Sequence, residues 1–372
     1  MAKYKIAWLP GDGVGVEVLE AAKIVLDKLN FDAELIHGDI GWEFWCKEGD
    51  PLPQRTIDLL KNVDAAMFGA ITSKPAKEAV NELDPSLRDK GFSYRSPIVR
   101  MRQTFDLYNC LRPTKGYPGN PLNHKEGIDI VVFRENTEDL YAGVEFAKAP
   151  KSLRDVLAKE APAFARFKDV SDEDLAISCK INTREGCEKI IQAAFEFAKK
   201  FNRKKVTVVH KANVVRATDG LFLETAKLVA RDYPGIQLDD ANIDAMTMWL
   251  LKNPHNYDVL VAPNLYGDIV SDLCAQMVGG LGFACSGNIG ADLAVFEPTH
   301  GSAPKYAGLY KVNPIATILA AKMMLEWLGE TAMAEKLEKA TAEVIAEGKI
   351  KTYDMGGSAT TLEMAEAIAA KL

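Results

Sequence analysis

Residues 258–272 read DVLVAPNLYGDIVSD. The first six form an apolar run closed by proline, the pattern of a buried strand at its C-terminal end. Asp268 and Asp272 follow among small and apolar residues, four positions apart. On a helix that spacing puts both carboxylates on one face. An acid in the first turn is favoured by the helix dipole, which accounts for Asp268. It accounts poorly for Asp272, a turn further in, where like charges repel. A divalent cation would remove the repulsion, and hard oxygen ligands suit Mg²⁺ or Mn²⁺. Spacing alone leaves both readings open.

The rest of the chain supplies a frame for this segment. KIAWLP ends in PGDGVG, and VEVLEAAKIVLDKL follows with helical spacing. AELIHGD is a second strand, TIDLLKNV a helix and DAAMFGA a third strand. This alternation predicts a parallel sheet covered by helices. AKEAVNELDPSLRDK reads as a polar surface loop or helix. DIVVFRE, VTVVHK and DLAISCKI read as strands, and residues 147–170 as a polar loop. The C-terminal third predicts amphipathic helices, among them IATILAAKMMLEWLG and MAEKLEKATAEVIAEG.

With 372 residues, the length predicts two domains of ordinary size. Hydrophobic content of 48% with 26% charged residues is that of a water-soluble globular chain. A net charge of −7 argues against nucleic acid as a partner, because phosphate neutralisation needs clustered Lys and Arg. The six cysteines have no CxxC or His–Cys spacing, which fits a reducing cytoplasm and neither a zinc site nor a disulfide framework. No secretory leader is legible at the N-terminus. The longest uncharged run, Leu273 to Ala291, holds five glycines and reads as a helix end plus loops, so no membrane span is expected.

Several side chains complement the two acids. Arg102, Arg112 and Arg134 lie at strand ends or among apolar residues, where bidentate guanidinium groups suit carboxylates. A cation with several arginines suggests a small polycarboxylate ligand. Lys211 ends a strand and is a candidate base with a lowered pKa. Tyr141 is a candidate acid or a packing residue. GDGVG, Gly11 to Gly15, follows a strand and opens a helix as a phosphate-binding turn does, but it lacks the third glycine of GxGxxG. A tight strand-to-helix turn explains it equally well.

In order along nearly the whole chain, LPGDGVGVEV, RQTFDLYNCLRP, FRENTEDLYAGVE, VHKANVVRATDG, NLYGDIVSDLCAQMVGGLG and SGNIGADLAVFEPTHGSAPKYAG resemble the metal-dependent β-decarboxylating dehydrogenases, the isocitrate, isopropylmalate, homoisocitrate and tartrate enzymes. The resemblance implies an α/β fold distinct from the Rossmann fold. A large cofactor-binding domain would comprise residues 1–103 and 258–372, and a smaller dimerisation and substrate domain residues 104–257. It implies a homodimer with shared active sites, or a tetramer of such dimers, and it makes GDGVG a structural turn near the cleft. Asp268 and Asp272 would bind Mg²⁺ or Mn²⁺ with Asp244 of the partner subunit. Arg102, Arg112, Arg134 and Ser96 would hold substrate carboxylates. Tyr141 and the partner's Lys211 would handle protons, with Asn213 beside substrate or nicotinamide. The cofactor would lie along His300 to Asn313, touching Thr72, His300, Gly301, Lys305, Tyr306, Asn313 and Tyr353.

The same resemblance bears on specificity. FRENTEDLYAGVE and TFDLYNCLRP resemble isocitrate enzymes more than isopropylmalate ones, so isocitrate is the expected tricarboxylate substrate. Ser96-Pro97-Ile98 departs from the Ser-x-Asn of that group and is similar to homoisocitrate enzymes, which stand next; isopropylmalate and tartrate follow. Lys305, Tyr306 and Tyr353 fit the pattern for NADP, whereas the arginine expected at 357 is glycine, so NAD stays open. Tyr141, Lys211, Asp244, Asp268 and Asp272 are all present, unlike in the family's non-catalytic regulatory subunits.

Overall fold

The computed structural model describes residues 2–372. The strands are β1 (Tyr4–Gly11), β2 (Ala33–His37), β3 (Ala65–Ala70), β4 (Asn109–Lys115), β5 (Asp129–Glu135), β6 (Glu145–Phe146), β7 (Ile177–Ser178), β8 (Lys205–His210), β9 (Gln237–Asn242), β10 (Val259–Ala262), β11 (Cys285–Ile289) and β12 (Ala294–Pro298). The α-helices are α1 (Gly15–Lys28), α2 (Trp42–Glu48), α3 (Gln54–Leu60), α4 (Ala76–Asn81), α5 (Pro97–Thr104), α6 (Lys151–Glu160), α7 (Arg184–Lys200), α8 (Thr218–Val229), α9 (Ile243–Lys252), α10 (Asn264–Met277), α11 (Ile315–Trp327), α12 (Thr331–Glu347) and α13 (Thr361–Ala369).

A ten-stranded sheet runs in the order β2-β1-β3-β12-β11-β4-β5-β10-β8-β9. The βαβαβ opening is as the periodicity predicts, with β1 parallel to both β2 and β3. At the other end β5, β10, β8 and β9 are also parallel. Between them β11 and β4 run antiparallel to their neighbours. Parallel strands covered on both faces must be apolar throughout, and β3 and β10 are buried at every position. The domain boundary expected at 257/258 falls between α9 and β10, and β10 inserts between β5 and β8.

Helices α1, α11, α12 and α13 cover one core, while α7 and α8 pack over β5, β8 and β10 in another. Helix α11 is not amphipathic as expected: Ile315 to Ala321 and Met323 to Leu325 are all buried. It lies against β12 on one side and α1 and α12 on the other, and only Lys322, Glu326 and Trp327 reach water.

Two further stretches differ from expectation. Residues 147–170 hold α6 and a 3₁₀ segment, Pro162–Phe167, neither with a buried residue. Arg154 anchors α6 through the Lys168 and Val170 carbonyls, so polar bonds fix a helix that buries none of its residues. Within Leu273–Ala291, CSGNI forms β11, an interior strand whose Ser286 and Asn288 are fully buried. DLAISCKI contributes only the two residues of β7, paired with β6.

Helix α10 lies close against β5, and a glycine permits it. A Cβ on Gly267 would stand 2.7 Å from the Arg134 Cβ and 3.0 Å from its Cα. Backbone cannot yield as a flexible side chain can. Gly267→Ala is therefore expected to lift α10 and lose stability, because overpacking of about 1–3 kcal/mol outweighs the better helix propensity of alanine. Thermal melting checks this; an unchanged melting temperature would show that the helix has room.

Candidate active site

Helix α10 begins at Asn264, directly after Pro263. Asp268 thus lies in the second turn, and its first turn has no acid. The dipole explanation for Asp268 does not hold, and the pairing with Asp272 needs another cause.

That cause stands on the sheet. Cys110 pairs with Arg134 across β4 and β5, and Arg112 lies two residues on, on the same face. Both arginines point beneath α10 and both are buried. Arg134 is ion-paired with Asp268, and its Nε donates to Asn264 Oδ1 at 2.9 Å. Arg112 Nη1 lies 3.4 Å from Asp268 Oδ1 and 3.3 Å from Asp272 Oδ1, and donates to Ser271 Oγ at 2.7 Å. Tyr141 donates its hydroxyl to Asp268 Oδ2 at 2.6 Å, while the Arg134 guanidinium sits 5.0 Å over its ring. Arg102, buried on α5, donates to Asn288 Oδ1 at 2.9 Å and lies 3.3 Å from Glu297 Oε1. Ser96 is the N-cap of the same helix, with no capping bond from its side chain.

The charges set protonation. Burial pushes the Asp268 carboxyl up, but Arg134 and Arg112 more than reverse this and hold it below the usual range. Burial raises Asp272, and Arg112 only partly offsets it. Burial also raises the Tyr141 hydroxyl, which keeps its proton as a donor to Asp268. Cys110, fully buried, is pulled down by Arg112, Arg102 and Arg134 in spite of burial.

Asp268 and Asp272 converge on one atom, Arg112 Nη1, so their oxygens already face a common cationic point. Two carboxylates in that arrangement fit a hard divalent cation that completes its shell with other oxygens. Among the described residues, no group of three or more His, Cys, Asp or Glu converges as a metal centre. Lys211 and Asp244 lie apart from these acids and pair with each other, Lys211 Nζ donating to Asp244 Oδ1 at 2.5 Å. Asn213 is exposed in the turn after Lys211.

A second cleft, about 630 Å³, is lined by His300, Gly301, Tyr306, Asn313 and Tyr353, with Val14, Gly280 and Gly282. His300 Nε2 is buried without a partner, and burial lowers the imidazole pKa. An orphaned buried nitrogen beside a glycine-lined floor fits a dinucleotide that brings its own polar atoms. Thr72 lies nearby through its hydroxyl, 2.6 Å from Ser302 Oγ, and its N–H donates to Asp12 Oδ2 at 2.8 Å. Asp12 also accepts from the Trp42 N–H. In GDGVG, Gly13 has φ +56°, and a Cβ there would meet the Ser302 carbonyl at 2.1 Å. The segment is therefore a tight turn packed under the cleft loop. Lys305 shares the 3₁₀ turn Pro304–Tyr306. Tyr306 stacks on Tyr353 with ring centroids 5.5 Å apart. At Gly357 a Cβ would lie 2.1 Å from the Lys351 carbonyl oxygen, which explains why no arginine stands there.

Sequence reasoning missed Asn264, Ser271, Asn288, Glu297 and Lys311. The first four are neutral or acidic partners of the arginines that lie within NLYGDIVSD and SGNIGADLAVFEPTHG, where neither charge nor spacing marks them. Lys311, whose Nζ lies 5.2 Å from the Tyr353 ring centroid, reads as an ordinary surface lysine.

A ten-stranded mixed sheet carries paired acids on α10 above buried arginines, and a separate cleft has room for a dinucleotide, an arrangement compatible with a dehydrogenase. The model of the isocitrate/isopropylmalate dehydrogenase family matches residues 5–368, and the chain belongs to that family of β-decarboxylating dehydrogenases. It is 40% identical over 372 residues to a 3-isopropylmalate dehydrogenase of Methanothermobacter thermautotrophicus, covering 100% of this chain and 99% of that one. It is 40% identical over 365 residues to an isocitrate/homoisocitrate dehydrogenase of Thermus thermophilus, covering 98% and 97%. A longer relative is 38% identical, and this chain spans 58% of it. The crystal structure of isocitrate dehydrogenase from Methylococcus capsulatus superposes with a TM-score of 0.85 at 37% identity, covering 99% of both chains. Among the described residues, no helix is long and apolar enough to cross a membrane.

Proposed function

We propose that this enzyme oxidatively decarboxylates isocitrate to 2-oxoglutarate and CO₂ with reduction of NAD(P). The observation that carries the reading is the buried trio Arg102, Arg112 and Arg134 gathered around Asp268 and Tyr141. Three guanidinium groups in one pocket exceed what a single carboxylate needs, and they suit a ligand with several.

A divalent cation at Asp268 and Asp272 would polarise substrate oxygens as a Lewis acid, and the nicotinamide would accept the hydride. The chain's own residues do the rest. The arginines fix the carboxylates and so orient the carbon that loses hydride. The partner's Lys211 takes the hydroxyl proton as the ketone forms. Loss of CO₂ leaves an enolate whose charge the guanidinium groups offset. Tyr141 then delivers its proton to the carbon, and Asp268 holds that hydroxyl in place beforehand.

Homoisocitrate is the second reading, and Ile98 favours it. Its side chain packs against the core cluster of Leu9, Phe68 and Met101, where the isocitrate pattern Ser-x-Asn would place a hydrogen-bonding asparagine. Ser96 is then the polar group left at that end of α5. Relatives named for isopropylmalate, homoisocitrate and isocitrate leave the substrate to be measured. We expect the highest kcat/KM with isocitrate; a clearly higher value with homoisocitrate or 3-isopropylmalate would overturn the substrate assignment.

For the nucleotide, Lys305 with Tyr306 and Tyr353 supports NADP. Lys305→Asp is expected to shift preference toward NAD by roughly ten- to a hundredfold, the worth of one charge-assisted bond to phosphate. Paired initial rates with the two nucleotides check this, and an unchanged ratio would remove Lys305 from nucleotide selection.

The reading includes a homodimer. Met248 and Leu251 on α9 and Ile269 on α10 are exposed apolar side chains near the exposed Asp272, a face suited to cover by a second copy. Asp244, first-turn acid of α9, would then join the partner's Asp268 and Asp272. Mixing inactive Asp268→Asn and Lys211→Met proteins should restore activity through hybrid dimers that contain one intact site. The six free cysteines support a cytoplasmic setting.

A further inference from the structure

Behind the site lies a buried ionic trio with no part in the chemistry above. Lys180, just past β7, donates from Nζ to Asp139 Oδ1 at 2.7 Å and lies 3.3 Å from Asp219 Oδ1. Both carboxylates are fully buried, and the lysine side chain is 15% exposed. Its ammonium also sits 5.1 Å over the ring of Tyr266, in the first turn of α10.

Each carboxylate spends its second oxygen on a backbone that carries a reactive residue. Asp139 Oδ2 accepts the Leu265 N–H at 2.9 Å, in the first turn of the helix that bears Asp268 and Asp272. Asp139 itself stands two residues before Tyr141, at φ +68°, a conformation that an aspartate holds only when its surroundings fix it. Asp219 Oδ2 accepts the Lys211 N–H at 2.7 Å. Without Lys180 the two acids would be buried with no cation between them, and they would repel.

We propose that Lys180 is a positioning residue: it locks the backbone of Tyr141 and α10 in register with the backbone of Lys211. This rests on the reading that Tyr141 and Lys211 move the protons. Because Lys211 serves the partner's site while Tyr141 serves its own, Lys180 also ties together elements of both sites of a dimer.

The test uses the full chain with its best substrate, Mg²⁺ and nucleotide. Lys180→Met should lower kcat by about 100-fold, the cost of an ångström-scale misplacement of reacting groups. The KM for nucleotide should not move, since that cleft is built from other segments. Lys180→Arg, which keeps the cation, should recover most of kcat. If Lys180→Met does not fold, Lys180→Met/Asp219→Asn keeps the net charge of the trio and should fold with the same loss of kcat. A normal kcat in any folded variant without the cation would overturn the proposal. So would a nucleotide KM that rises as kcat falls, or failure of both variants to fold, which would make Lys180 a folding residue alone. Tyr141→Phe and Lys211→Met are assayed alongside. If they turn over normally, the proton-transfer reading has failed; if only the Lys180 variants do, this inference alone has failed.

Discussion

Asp268→Asn is expected to lower kcat by about three orders of magnitude, the several kcal/mol of transition-state stabilisation that a bound cation supplies. The amide is nearly isosteric, and its single carbonyl oxygen can keep the bond from Arg134 while its NH₂ faces the Tyr141 oxygen, so far-ultraviolet circular dichroism should match the parent. What it loses is the negative charge that a divalent ion needs, and Mn²⁺ titration followed by electron paramagnetic resonance should show weaker binding. The charge also leaves a mark in acid. Arg134 and Arg112 depress the folded-state pKa of Asp268 against the opposing effect of burial. Its contribution to stability is therefore present above the unfolded value of about 3.9 and lost as pH falls through the folded value. The parent should lose that contribution in acid, and Asp268→Asn should not show it. Full activity in Asp268→Asn would mean that α10 is not where the chemistry is assembled.

Tyr141→Phe is expected to lower kcat by about 10²- to 10⁴-fold, the usual worth of a positioned acid. Substrate KM should change little. The ring would keep its place under Arg134, whose guanidinium contacts its face and not its hydroxyl. The carboxylate-binding arginines have their own partners in Asn264, Ser271 and Asn288. Removing the hydroxyl thus deletes a proton and little else, and steady-state rates over a range of substrate concentration separate the two effects. A raised KM with normal kcat would make Tyr141 a binding group.

The strands of this fold were legible where covering helices force continuous apolar runs, as in DAAMFGA and DVLVAP. They were hidden where burial is polar. CSGNI is an interior strand because Asn288 there is bonded to Arg102, Asn136 and Glu297, a tertiary network that no local pattern announces. The acids of NLYGDIVSD were legible as a pair, but the reason first offered for Asp268 depended on a helix start that Pro263 places four residues earlier. The arginines were found as charges in apolar text. Their convergence came from the β4–β5 register, which brings Arg134 opposite Cys110 and beside Arg112. Lys211 and Asp244 pair within one chain, away from Asp268; their role depends on a second copy, which one chain's sequence names only through resemblance.

The most direct test is absorbance at the reduced-nicotinamide band with enzyme, isocitrate, NADP⁺ and Mg²⁺, followed by addition of EDTA, while released CO₂ is trapped and counted. The account predicts nicotinamide reduction and CO₂ release in equal amounts, both stopped by EDTA and both restored by excess Mg²⁺. Reduction that persists in EDTA, or that proceeds without CO₂, would contradict it.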